Sequence, residues 1–149
     1  MDYKEKLYNY CYTLLRLRVE QAQQAMDAAQ KNANAETKSS AGDKYETGRA
    51  MAHLDKEMHT KRHAIALHDL YKLEALEVLE RAETVSFGSL VKTNIGTYFI
   101  AVGLGKIQLG EQEYRVVSPE SPIGQILLGL EEDAQLDFRG KKLVILSIQ

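Results

Sequence analysis

Tryptophan is absent from this chain of 149 residues, cysteine occurs once, at Cys11, and proline twice, at Pro119 and Pro122. A lone cysteine excludes an intrachain disulfide framework and fits a reducing compartment. No apolar run approaches the roughly 20 residues needed to span a bilayer. The opening MDYKEKLYNY is charged and aromatic, where a secretory signal would be basic and then apolar. Excess charge of one sign is missing as well. The formal net charge is −2, with 13 basic and 14 acidic side chains in residues 1–83 and 6 and 7 in residues 84–149. Neither half is a basic module for naked DNA. These absences predict a cytoplasmic protein that makes no use of a membrane.

Helix breakers are scarce up to residue 83, where the only ones are Gly42 and Gly48; eight glycines and both prolines follow, among many β-branched residues. That shift predicts an α+β chain with a boundary near residue 84, between a helical part, 1–83, and a β-rich part, 84–149. Leu7, Cys11, Leu14 and Leu15, Arg18 and Ala22, then Ala25, Ala28 and Ala29 recur at helical spacing and predict one helix over 3–33. Turn and capping types in 32–42, NANAETKSSAG, interrupt it. A second helix is expected from Asp43 to Arg81. Its apolar stripe is read as Met51, Leu54, Met58 and Ile65, continued by Leu70, Leu73, Leu76 and Leu79. Two long helices with a short connection pair antiparallel, because neither can bury its apolar stripe alone. The result is a coiled-coil hairpin, slender at its Ala-rich end; about 30 helical residues extend roughly 45 Å.

Beyond residue 84, strands are expected at Thr84–Val91, Thr97–Val102, Ile107–Val117, Gln135–Phe138 and Lys142–Ile148. One short helix, Pro122–Leu128, sits between them. Ser121 is placed to cap it, Pro122 stands at its first position and Gly129 can end it. A twisted antiparallel sheet packed on one helix is the expected core.

The segment that carries chemistry is Ser39-Ser40-Ala41-Gly42-Asp43-Lys44-Tyr45-Glu46-Thr47-Gly48-Arg49, at the expected hairpin tip. Asp43 and Glu46 lie three apart at a helix start, on one side of its first turn. Two such carboxylates can share a hard cation such as Mg²⁺, but they leave most of its shell to a partner's carboxylates or a substrate phosphate. Asp-x-x-Glu before a helix is equally a capping box. The two readings are compatible, since a carboxylate fixed at a helix start is preorganised for a ligand. All four histidines, His53, His59, His63 and His68, fall on the second helix, and His59 and His63 have a spacing that can grip zinc. No His-Glu-x-x-His pattern or nearby cysteine completes a four-ligand site, so exposed non-ligands are expected. Seven Lys or Arg against five acids in residues 31–62 form either a basic patch or a solvated face.

The order of parts resembles the Gre family of transcript-cleavage factors, and the motifs carry the likeness. The family's tip, Gly-Asp-Leu-x-Glu-Asn-Ala-Glu-Tyr, is similar to Gly42-Asp43-Lys44-Tyr45-Glu46-Thr47-Gly48-Arg49-Ala50 at the Gly-Asp and the following Glu. Val85-Ser86-Phe87-Gly88-Ser89-Leu90-Val91 resembles its first strand. Ser121-Pro122-Ile123-Gly124-Gln125-Ile126-Leu127-Leu128-Gly129 resembles its Ser-Pro-Leu-Gly-x-Ala-Leu-Leu-Gly helix.

The resemblance implies an FKBP-like second domain and a hairpin that enters the secondary channel of bacterial RNA polymerase as a monomer. Asp43 and Glu46 would reach the active centre and help hold its second Mg²⁺ during cleavage of backtracked RNA. The polymerase would remain the catalyst. Basic residues on the hairpin would come near the nascent RNA, and the turn Ser121, Pro122, Ile123 and Gly124 would meet the channel entrance. Thr47, Gly48, Arg49 and Ala50 depart from the family's pattern, and a cation at Arg49 competes with a metal for the carboxylates.

A regulator that occupies the channel without cleaving is therefore the first alternative. The others are a coiled-coil interaction protein, a prolyl isomerase and a cysteine-dependent condensing enzyme. An isomerase would need convergent aromatics from Phe87, Tyr98, Phe99, Tyr114 and Phe138, and a condensing enzyme would need a longer fold around Cys11.

Overall fold

The computed structural model describes residues 3–38, 43–78 and 80–149; the side chains of 36–38 and 43–45 lie outside what it describes. Two long helices, α1 (Tyr3–Lys38) and α2 (Asp43–Glu74), precede six strands and one short helix. The chain divides into two compact units. One is Tyr12–Tyr71; the other joins residues 1–11 to 72–149, so the first turns of α1 and the last of α2 belong with the sheet.

In the helical unit, α1 and α2 form the hairpin. Leu15 and Leu70 are buried at one end, and Ala29, Ala33 and Ala52 are buried further along. The expected stripe of α2 does not face α1. Met51, Leu54, Met58 and Ile65 are exposed, and the inward positions are Ala52, with Lys56, His59 and His63 half-buried behind it. At about 100° per residue, these positions fall in phase with Leu70, and the Met51–Ile65 stripe falls well over a quarter turn away. The helix carries two apolar stripes, and the one that includes Leu70 sets the phase. On α1, Leu7, Cys11, Leu15 and Ala29 are buried as expected, while Leu14 is half-buried and Arg18 and Ala28 are exposed.

In the second unit, the strands are β1 (Leu90–Thr93), β2 (Gly96–Ile100), β3 (Gly105–Leu109), β4 (Gln112–Val117), β5 (Gln135–Phe138) and β6 (Lys141–Ile148), in the sheet order β3-β4-β2-β1-β6-β5. The sheet is antiparallel except for β2 and β4, which run parallel with Phe99 opposite Val116. The expected strand over Ile107–Val117 is two strands, reversed at Gly110, whose φ of +61° suits glycine. One face of the sheet packs on α3 (Pro122–Leu127): Val91, Tyr98, Ile100, Leu143 and Ile145 cluster with Ile123 and Leu127. Cross-strand neighbours Leu90, Phe99 and Val116 turn to the other face and are also buried. The first turn of α1 borders that face, where Tyr3 lines one cleft with Leu90 and Tyr114.

The end of α2 falls at Glu74, short of Arg81. Helix-forming residues continue past it, so tertiary contacts end it rather than local propensity. Leu76 lies directly beneath Gly88, whose φ is +94° and where any Cβ would collide with Leu76 Cδ1. Lys4 is buried and its Nζ donates to the Glu80 carbonyl at 3.1 Å, while the Tyr8 hydroxyl donates to the Leu73 carbonyl at 2.9 Å. The expected strand at Thr84–Val91 begins only at Leu90. Before it, Val85 bonds instead to the segment after α3, its N–H donating to the Leu130 carbonyl at 2.9 Å and its carbonyl accepting from Gly129 at 2.8 Å.

Capping of α3 follows the sequence closely. Ser121 Oγ accepts from the Gly124 N–H at 3.1 Å and donates to the Ser118 carbonyl at 2.7 Å. The same turn leaves no room at Gly124, where a Cβ would strike the Ser118 carbonyl and crowd Pro119. Cys11 is wholly buried, and that burial pushes its thiol up to about 12.

Three outcomes follow for stability. Leu70→Ala or Leu73→Ala should cost about 2–5 kcal/mol in urea denaturation at low protein concentration, and Leu54→Ala less than about 0.5 kcal/mol. Gly124→Ala should cost at least about 2 kcal/mol in the same assay, because the obstacle is backbone. Cys11 should resist thiol reagents at pH 8 in the native state. Its thiol ionises at 9.0 when unfolded and near 12 when folded, so its stabilising effect is whole below pH 9 and is lost as the pH rises toward 12. The stability difference between the wild type and Cys11→Val should therefore change over that interval and be constant below it.

Candidate functional site

The candidate acids stand at the start of α2. Asp43 is its first residue, and Glu46 follows within the first turn, exposed to solvent. Residues three apart on a helix are neighbours on its surface, about 5–6 Å between Cβ atoms. The side chain of Asp43 lies outside the described residues, as do Ser39 to Gly42 and the side chains of Lys44 and Tyr45. Whether Asp43 and Glu46 close the expected capping box therefore also falls outside what the structure describes. Thr47 is exposed; Gly48 and Arg49 are half-buried. Arg49 turns part of its guanidinium inward, where Nε is enclosed without a hydrogen-bond partner. Among the described residues the ion pairs are His59–Asp55 and Lys106–Glu113, so Glu46 is not paired with Arg49.

The donor set at this end suits a hard cation only in part. Two carboxylates are oxygen ligands of the kind Mg²⁺ takes, and they leave most of an octahedral shell to be filled from elsewhere. Among the described residues no group of three or more His, Cys, Asp or Glu is arranged to hold a metal ion. His59 and His63 lie half-buried on the inward side of α2, not exposed as expected; His53 and His68 are exposed. His59 Nε2 lies 3.4 Å from Asp55 Oδ1, one turn earlier, a contact within the helix.

The second expected contact surface, Ser121 to Gly124, divides in two. Pro122 is exposed and Ser121 half-exposed, whereas Ile123 belongs to the core and Gly124 is packed on the Ser118 carbonyl. Only the first two can present side chains to a partner; the other two hold the turn in shape. Basic side chains along the hairpin are open to solvent at Lys31, Lys61 and Arg62, and half-buried at Lys56. Lys38 and Lys44 lie outside the described residues.

The aromatic residues do not converge on a peptide pocket. Tyr98, Phe99 and Tyr114 are buried, Phe138 packs against the core cluster and Phe87 is exposed. Cys11 is enclosed and held neutral, which suits packing and not nucleophilic attack. No helix among the described residues is long and apolar enough to cross a membrane.

The sequence had pointed to these acids by type and spacing. It gave no signal for the inward turn of Arg49 or for the division of the Ser121–Gly124 turn, since both depend on packing between segments.

Comparison with known proteins adds little to this geometry. No protein-family model matches the chain, and no curated protein matches it. Among solved structures, one described as "Structure of the transcription factor Gfh1" aligns with 92% of this chain and 92% of its own, at 20% identity and a TM-score of 0.37. At that identity and overlap the likeness assigns this chain neither a family nor a function.

Proposed function

We propose that the chain is a transcription elongation regulator that binds bacterial RNA polymerase through its secondary channel and carries Asp43 and Glu46 toward the active centre, promoting cleavage of backtracked RNA. The observation that carries the reading is the placement of two carboxylates, preceded by Gly42, in the first turn of the second helix of a hairpin. A helical hairpin can deliver such a pair into a narrow opening. The unit Tyr12–Tyr71 takes about 27 residues of α1 to reach its end, roughly 40 Å at 1.5 Å per residue.

On this reading the chain is an accessory factor and the polymerase the catalyst. Asp43 and Glu46 would hold Mg²⁺ jointly with acids of the polymerase and the substrate phosphate; when bound, that ion stabilises developing charge and orients water. What the chain contributes is position. Glu46 is exposed, so its carboxylate is free to ligate, and the helix start fixes its direction. Ser121 and Pro122 present a rigid turn for docking at the channel entrance, held by the Ser118–Ser121–Gly124 hydrogen bonds. Lys61 and Arg62 offer charge to nearby RNA.

A second reading, a regulator that occupies the channel without cleaving, is favoured by one observation. Arg49 stands three residues after Glu46, where the family resembled has an acid. Its half-buried position limits that competition, because its Nε is enclosed and, among the described residues, Arg49 makes no ion pair with Glu46.

A stalled, backtracked elongation complex separates the readings. Added protein should shorten the RNA from its 3′ end, and Asp43→Ala or Glu46→Ala should lower that rate at least about 100-fold, the scale of removing a charge-stabilising group. Binding of the polymerase should be retained in both variants. Binding without shortening by the wild type would establish the second reading; absence of binding would end both.

A further inference from the structure

Met51, Leu54, Met58 and Ile65 are 64%, 62%, 41% and 63% exposed along one stripe of α2. Steps of three, four and seven residues are those of seam positions in a coiled coil, yet the seam with α1 lies on another side of this helix. Single exposed apolar residues are ordinary, whereas four in register on one helix face make a patch that proteins commonly cover. We propose that this stripe is a self-association surface: two copies of the chain pair through it, α2 against α2 and antiparallel, about a two-fold axis midway between His59 and Thr60.

Charge beside the stripe selects a second copy as the occupant and sets its direction. Asp55 and Arg62 lie one heptad apart along one flank of the stripe. In the antiparallel arrangement Leu54 packs on Ile65 of the other copy, and Met58 packs on the aliphatic stem of its Lys61. Asp55 then lies beside Arg62 of the other copy, and two-fold symmetry forms that pair twice. A parallel arrangement would set Lys61 against Lys61 inside the seam, two like charges in a region losing water. Asp55 Oδ1 already faces His59 Nε2 at 3.4 Å, and its other oxygen remains to accept from an arginine. The contact spans only two heptads, so the dimer is weak and responds to concentration.

Sedimentation equilibrium of the full chain from about 5 to 500 μM tests this, a range that covers micromolar dissociation constants. The apparent mass should rise from 16.8 kDa toward twice that value. Leu54→Glu or Ile65→Glu should hold the protein monomeric throughout, with helical content unchanged by circular dichroism. Asp55→Arg and Arg62→Asp should each weaken association roughly tenfold, and the two together should restore it, because the pair is remade with its signs exchanged. A wild type that stays monomeric across the range overturns the proposal, and so does a dimer indifferent to Leu54→Glu and Ile65→Glu. A double variant as weak as the single ones overturns the antiparallel pairing. Should the wild type be monomeric and Leu54→Glu lose polymerase binding, the stripe belongs to that partner and self-association is excluded. Sedimentation itself needs no polymerase, so failure of self-association and failure of the proposed function are read in separate experiments.

Discussion

The rotation of α2 about its own axis is the constraint on which the rest depends. Leu70 is buried near the end of the helical unit, and a helix has one phase along its length. With Leu70 turned inward, Ala52, His59 and His63 follow at nearly the same angle, and Met51, Leu54 and Ile65 fall about 100° or more away and face water. The same rotation decides which way the acids at the helix start can point. An apolar stripe on the outside and a partly polar seam on the inside are thus one fact seen from two sides.

Much of the fold was legible because the signals were local. The break in glycine and proline content separated helical from β-rich sequence, and β5 runs over Gln135–Phe138 as the residue pattern indicated. The cap of α3 was readable from Ser121, Pro122 and Gly129 alone, since each acts on its own backbone neighbours. What could not be read depended on residues distant in sequence. The helix-forming run after Glu74 gives no sign that Leu76 must fit beneath Gly88. The parallel pairing of β2 with β4 is a matter of connection, and alternation in either strand is blind to it. Two apolar stripes on α2 were merged into one, because periodicity reports that a stripe exists and not what it faces.

The candidate site was legible to a different degree. Acid type and spacing marked Asp43 and Glu46, and the exposure of Glu46 agrees with a role outside the chain. Arg49 was read as a rival for those carboxylates by its distance in sequence, yet its guanidinium is partly enclosed and makes no ion pair with Glu46. The histidines show the reverse case. Sequence placed all four at the surface, and the phase of α2 draws His59 and His63 toward α1.

The seam of the hairpin changes character along its length, from Leu15 and Leu70 at one end to Ala29, Ala33 and Ala52 further on. An alanine buries less apolar area than a leucine, so local opening costs less free energy where the alanines hold the seam. Amide exchange would therefore be slower around Leu15 and Leu70 than around Ala29 and Ala52. A seam built in this way can open locally among its alanines while its leucine end stays closed.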